Sequence, residues 1–124
     1  MAKLDEITID CRHAPSLARF WAGALDGYDV LPYDDAEVER LASLGLTPDT
    51  DPTVSVGGPG PMLFFQQVDE PKVVKNRLHL DVVAADREAE VERLVELGAS
   101  VQRRHERWTV MLDPEGNEFC VAAG

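Results

Sequence analysis

The 124-residue chain has little of what several protein classes require. Its only cysteines, Cys11 and Cys120, are too few and too far apart for a disulfide framework or a structural zinc site. No apolar run approaches the roughly 20 residues that cross a bilayer as a helix. The opening MAKLDEITID lacks the apolar core of a signal peptide, so a cytoplasmic protein is expected. Bases are scarce: 12 Lys and Arg against 23 Asp and Glu give a net charge of −11. That balance argues against nucleic acid and anionic membrane surfaces as partners. The deficit is uneven, with 13 acids and 4 bases in residues 1–71 but 10 and 8 in residues 72–124. There is no nucleophile elbow and no Ser-His-Asp set, and GGPG at 57–60 has neither the spacing nor the following helix of a phosphate loop.

What is present is organised around Arg77–Ala99, RLHLDVVAADREAEVERLVELGA. Leu78, Leu80 and Val82 alternate with His79, Asp81 and Val83, which predicts a strand with an apolar face and with His79 and Asp81 on the opposite one. Asp86 stands at an N-cap position, with Glu88 in the positive first turn. Val91, Leu94 and Val95 recur at helical spacing, and Gly98 is placed to end the helix in a left-handed conformation.

The rest of the chain repeats that plan. Glu6–Cys11 alternates as a strand, with Ile7, Ile9 and Cys11 on one face. Pro15 suits a first helical turn, and Leu17, Phe20, Trp21, Ala24 and Leu25 mark an apolar helix face that ends by Gly27. Tyr28–Leu31 reads as a second strand. In residues 33–60, DDAEVERLASLG suggests a short helix with Val38, Leu41 and Ala42 sharing a face, and Thr53–Val56 a brief strand within turn-rich sequence. Met62–Val68 is a strand, Ser100–Arg103 and Trp108–Leu112 a hairpin around the charged RHER, Asp113–Asn117 a turn and Glu118–Ala122 the last strand. The order β-α-β-β-β therefore occurs twice, and ITIDC and LHLDV share an apolar-x-apolar-Asp pattern 71 residues apart.

IDC…LARFWAGALDGYDV, KNRLHLDV, EVERLVELGA and DPEGNEFCV together resemble the vicinal oxygen chelate superfamily of glyoxalase I, bleomycin-resistance proteins and extradiol dioxygenases, and within it the uncharacterised actinobacterial glyoxalase-like branch. The resemblance implies an α+β fold, two βαβββ modules forming curved mixed sheets around a cleft. It also implies a single glyoxalase-like domain, residues 1–124, with module one at about 4–70 and module two at about 76–123. In metal-using members, histidine or glutamine and glutamate from the first and last strands of each module chelate a divalent ion that polarises the substrate. His79 matches one such position. The glutamate expected after the DPxG turn falls on Cys120, the first-module ligand falls on Glu6 or, aligned by the internal repeat, on Thr8, and the remaining position falls on Gln66 or Gln67.

The ligand-binding cleft is accordingly assigned His79, Asp81, Cys120, Glu118, Trp108, Gln66 and Gln67. Glu118 shares the strand parity of Cys120; Trp108 either stacks a planar ligand or packs in the core; His79 either meets a ligand or is satisfied by Asp81 or a nearby backbone group. Lys72, Lys75 and Arg77 either meet an anionic ligand or form a solvated linker, and Arg103, Arg104, His105 and Arg107 are expected to decorate an exposed hairpin. The expected function is small-molecule binding with no cofactor; the alternative is a divalent-metal-dependent lyase, isomerase or dioxygenase, its metal held by His79 and Glu6. A homodimer is expected, because the short link between modules favours pairing across two chains.

Overall fold

Alternating apolar and polar residues build two mixed sheets of four strands, each covered on one face by a helix. The computed structural model describes Met1–Gly124, which divides into two units, Met1–Pro71 and Lys72–Gly124.

The first unit contains β1 (Glu6–Cys11), α1 (Ala14–Ala24), β2 (Asp29–Val30), α2 (Asp35–Ser43), β3 (Thr53–Gly57) and β4 (Met62–Gln67). Its sheet runs β1-β4-β3-β2, with β1 parallel to β4 and the other pairs antiparallel. His13 caps α1, its Nδ1 accepting from the Ser16 N–H at 3.3 Å. The apolar stripe of α1 buries Leu17, Phe20 and Trp21 against a sheet face made of Cys11, Val54, Val56, Leu63 and Phe65. Phe20 and Trp21 meet edge to face at 5.3 Å, the arrangement that brings a ring's positive edge to a negative face.

The expected helix at α2 forms, capped by Asp34, but its expected apolar face does not. Only Leu41 is buried, while Val38 and Ala42 face solvent. The physical reason is length: nine residues make about two and a half turns, and one anchor suffices to hold so short a segment. The excursion between β2 and β3 is also tied internally. Tyr33 Oη donates to Asp51 Oδ2 at 2.9 Å, and Asp51 Oδ1 accepts from the Thr53 N–H at 3.0 Å, so the buried Asp51 carboxylate is satisfied on both oxygens. Burial, then the hydrogen bond and negative charge of Asp51, push the Tyr33 phenol up to about 12.

The second unit contains β5 (Leu80–Ala84), α3 (Arg87–Leu97), β6 (Ser100–Arg104), β7 (Trp108–Leu112) and β8 (Glu118–Ala123), in sheet order β5-β8-β7-β6, again with first and last strands parallel. Asp86 caps α3 by accepting from the Ala89 N–H at 3.1 Å, and Gly98, at φ +121°, closes it with its N–H on the carbonyls of Leu94 and Val95. That backbone angle strains any residue with a Cβ. Val91 and Leu94 pack with Met111, Phe119 and Val121.

The central strand begins two residues later than its alternation predicts. Leu78 lies outside β5 and is 66% exposed. The ladder explains this: Leu80 pairs with Phe119, so a partner for Leu78 would have to come from Asn117, which belongs to the turn closed on Asp113. Alternation in the chain cannot show where the neighbouring strand runs out.

Candidate functional site

The register of the second sheet lays its helix-free face out in transverse rows. One row runs Asp81, Cys120, Val110 and Arg103, each the Cα partner of the next; the bulge between Val101 and Arg103 brings Arg103 opposite Val110. The next row runs Val83, Ala122 and Trp108, continued by His105, whose N–H donates to the Trp108 carbonyl at 2.8 Å. His79 immediately precedes β5, and Glu118 is the first residue of β8. Together these residues line a concavity of about 620 Å³. It has an apolar floor (Val110, Ala122), an aromatic side and a polar side.

On the aromatic side, the rings of His105 and Trp108 stack with centroids 4.5 Å apart and planes at 23°. Trp108 is 41% exposed, so of its two expected roles the core is excluded. His105 was expected only to decorate a hairpin; the structure turns it inward onto Trp108. The spacing of three residues across a tight connection, with an aromatic at one end, was the available signal. Arg103 also lines the concavity, since the bulge, invisible in the residue pattern, puts it in the row of Val110.

On the polar side, His79 Nε2 lies 3.4 Å from Asp81 Oδ1, and donor atoms of His79, Asp81 and Cys120 all fall within 4.8 Å of one another. The Cys120 thiol is pushed up by burial, then by the negative charge of Asp81 and the hydrogen bond to its carboxylate; Lys75 acts weakly the other way. The juxtaposition of a histidine with Cys120 suggests thiolate stabilisation, but the carboxylate is the group that faces the sulfur and it favours the thiol.

Glu118 lines the same face but is committed elsewhere. Its Oε1 accepts from Lys72 Nζ at 2.6 Å and its Oε2 from the Asn76 N–H at 2.9 Å. Burial raises this carboxyl, yet the ammonium and the backbone donor outweigh burial and hold it below the usual carboxylate range. Lys72 is therefore an internal counter-ion, whereas Lys75 lines the concavity.

Gln66, Gln67 and Glu6 belong to the first unit. Gln66 pairs with Asp10 and lies on the helix-free face with Thr8; Gln67 pairs with Cys11 and lies on the opposite face. Being adjacent in one strand, the two glutamines cannot serve one site together. Glu6 is exposed beside Met62.

Two mixed sheets of βαβββ connectivity, with a polar and aromatic concave face, define a protein of the glyoxalase/bleomycin-resistance fold. The chain belongs to the family described as a glyoxalase-like domain, which matches residues 6–122, and so to the vicinal oxygen chelate superfamily. A putative glyoxalase from Bacillus halodurans is similar at a TM-score of 0.65 and 20% identity, over 100% of this chain and 97% of that one. The fosfomycin resistance protein FosX from Mesorhizobium loti is similar at 0.69 and 16% identity, over 100% and 93%. A glyoxalase/bleomycin resistance protein/dioxygenase family enzyme from Burkholderia phytofirmans PsJN is similar at 0.66 and 16% identity, over 98% of each chain. No curated protein matches the sequence. No helix is long and apolar enough to cross a membrane.

The divalent ion that the superfamily implies wants several hard oxygen donors. The second unit does not supply them. Cys120 stands where a glutamate is required, and Glu118 is neutralised by Lys72. The donors that do converge are one imidazole, one carboxylate and one thiol.

Proposed function

We propose that this is a glyoxalase-like small-molecule-binding protein that holds a planar, partly apolar ligand on the helix-free face of its second sheet, without the complete metal centre of the catalytic relatives. The carrying observation is the stacked His105–Trp108 pair beside an apolar floor, with His79, Asp81 and Cys120 on the other side. An exposed indole held by a neighbouring ring loses little freedom when a third ring stacks on it. The volume of about 620 Å³ lies in the range of roughly 300–1,000 Å³ common to small-ligand sites.

Anilinonaphthalene sulfonate is a suitable planar probe. Saturable binding of one probe per chain is expected, quenching Trp108 while the buried Trp21 stays unaffected. Trp108→Ala should weaken binding at least about tenfold, and Leu44→Ser, in the first unit, should leave it unchanged. Equal weakening by both variants, or none by Trp108→Ala, would remove the site from this face.

The second reading, a divalent-metal-dependent lyase, isomerase or dioxygenase with His79 and Glu6 among its ligands, is favoured by His79 standing at the superfamily's position. Stoichiometric nickel, manganese or iron in protein purified without chelator, together with turnover of a glyoxalase substrate, would establish it over the first. We further propose a homodimer in the cytoplasm; the exposed Val73, Val74 and Leu78 are surface that a second chain would cover. A monomer by light scattering at micromolar concentration would exclude the dimer.

A further inference from the structure

We propose that His79, Asp81 and Cys120 form a site for one zinc-class ion, held entirely by the second unit. This is not the ligand set that the family resemblance implies: it takes Asp81 in addition, replaces a glutamate by a thiol and needs no residue of the first unit.

The geometry is close to that of a tetrahedral site. With metal–donor bonds of about 2.0–2.3 Å, neighbouring donors in such a site lie about 3.3–3.6 Å apart. His79 Nε2 and Asp81 Oδ1 are already 3.4 Å apart, and the set as a whole lies within 4.8 Å. The remaining closure is about 1 Å, within reach of side-chain rotation for an exposed histidine and aspartate. The strands need not move, because Asp81 and Cys120 are direct partners in the parallel ladder of β5 and β8.

The chemistry selects the class of ion. In the free protein Cys120 and Asp81 lie side by side in the ladder, and a bound ion takes the place of the thiol proton between sulfur and oxygen. One proton leaves Cys120 for solvent per ion bound, and thiolate plus carboxylate balance the two charges of the cation. Sulfur and imidazole prefer zinc, cobalt or cadmium to magnesium or manganese. The fourth position opens onto the concavity, where water or a ligand donor completes the shell. Lys75 also lines the concavity, and its Nζ donates to the Asn76 carbonyl at 3.5 Å, a long bond that lets it swing aside.

The experiment uses the full chain, reduced and freed of metal by chelation. Titration with zinc against a chromophoric indicator should give one ion per chain, and cobalt should produce a tetrahedral spectrum with a thiolate charge-transfer band. Cys120→Ser should abolish that band and weaken zinc at least about tenfold, with His79→Ala weakening it similarly; Cys11→Ser should change neither, and Lys75→Met should tighten binding. In the unsubstituted protein, zinc should slow alkylation of Cys120 in a timed iodoacetamide pulse, a readout that does not depend on how variants fold. Magnesium at millimolar concentration should not compete. Absence of the band, no protection of Cys120, or equal displacement by magnesium overturns the proposal. Trp108→Ala should leave zinc binding intact, so failure here and failure of the planar-ligand reading are separable.

Discussion

The two units share one topology and spend their residues differently. By the 71-residue offset of the internal repeat, Thr8 corresponds to His79 and Asp10 to Asp81. Asp10 pairs with Gln66 as Asp81 pairs with Cys120, so the first unit carries Thr, Asp and Gln where the second carries His, Asp and Cys. One step along the last strand, Phe64 corresponds to Glu118. The helix sides differ in the opposite sense: α1 brings Phe20 and Trp21 to its sheet, while α3 brings only Val91 and Leu94. The frame is the same, the larger aromatic core lies in the first unit, and the reactive side chains lie in the second. Connectivity alone therefore does not decide where chemistry sits; a few substitutions on the helix-free face do.

The comparison is most sharply tested at the register-equivalent pair Phe65 and Phe119, both fully buried beside the first strand of their sheet. Each Phe→Ala should cost about 3–5 kcal/mol in denaturant unfolding. A Phe119→Ala cost below about 1 kcal/mol would mean that the leaner second unit is not organised around that ring.

The next effect separates Glu118 from its apolar counterpart Phe64. Lys72→Met should cost about 1.5–3 kcal/mol by stranding a half-buried carboxylate. The folded Glu118 carboxyl lies below its ordinary value of 4.5, so its contribution is complete above that pH and lost as the pH falls through the depressed value. Acid unfolding of Glu118→Gln should accordingly show a shallower dependence below pH 4.5 than the unsubstituted protein; identical acid limbs would show that the ion pair does not hold the strand ends.

Tyr33 makes the corresponding test in the first unit, at the other end of the pH scale. Its phenol is raised from 10.0 to about 12, so its contribution is full below pH 10 and disappears as the pH rises towards 12. Tyr33→Phe should cost about 1–2 kcal/mol near neutral pH and flatten the alkaline limb between pH 10 and 12. Thermal melts across that range would register either outcome.

The smallest effect concerns buried polar groups. Asp51 in the first unit is fully hydrogen-bonded, whereas Thr109 Oγ1 in the second is buried with no partner. Thr109→Val keeps the shape and removes the orphan, and should raise stability by about 1 kcal/mol. A loss of stability on this substitution would show that the hydroxyl is satisfied in solution.

Much of this was legible from residues in order. Alternation marked Glu6–Cys11 as a strand, the short apolar runs Met62–Val68 and Glu118–Ala122 read as strands without it, helical spacing marked the stripes of α1 and α3, and Asp86 and Gly98 marked the ends of α3, because such signals are local. The two βαβββ repeats and the family resemblance followed from them. Alternation likewise puts His79 with Asp81 on one strand face and Glu118 with Cys120 on another, whereas Trp108 stays open between a ligand and the core until its exposure is seen.

What those residues do to one another was decided only by tertiary structure. The parallel register of β5 and β8 sets Cys120 against Asp81, so the thiol meets a carboxylate as well as an imidazole. A bulge in β6 sends Arg103 to the concavity, the hairpin folds His105 onto Trp108, and Lys72, 46 residues away in the chain, takes Glu118 out of play. Periodicity assigns each side chain a face, but register, bulges and ion pairs depend on packing between segments far apart in sequence, and no local pattern carries that information.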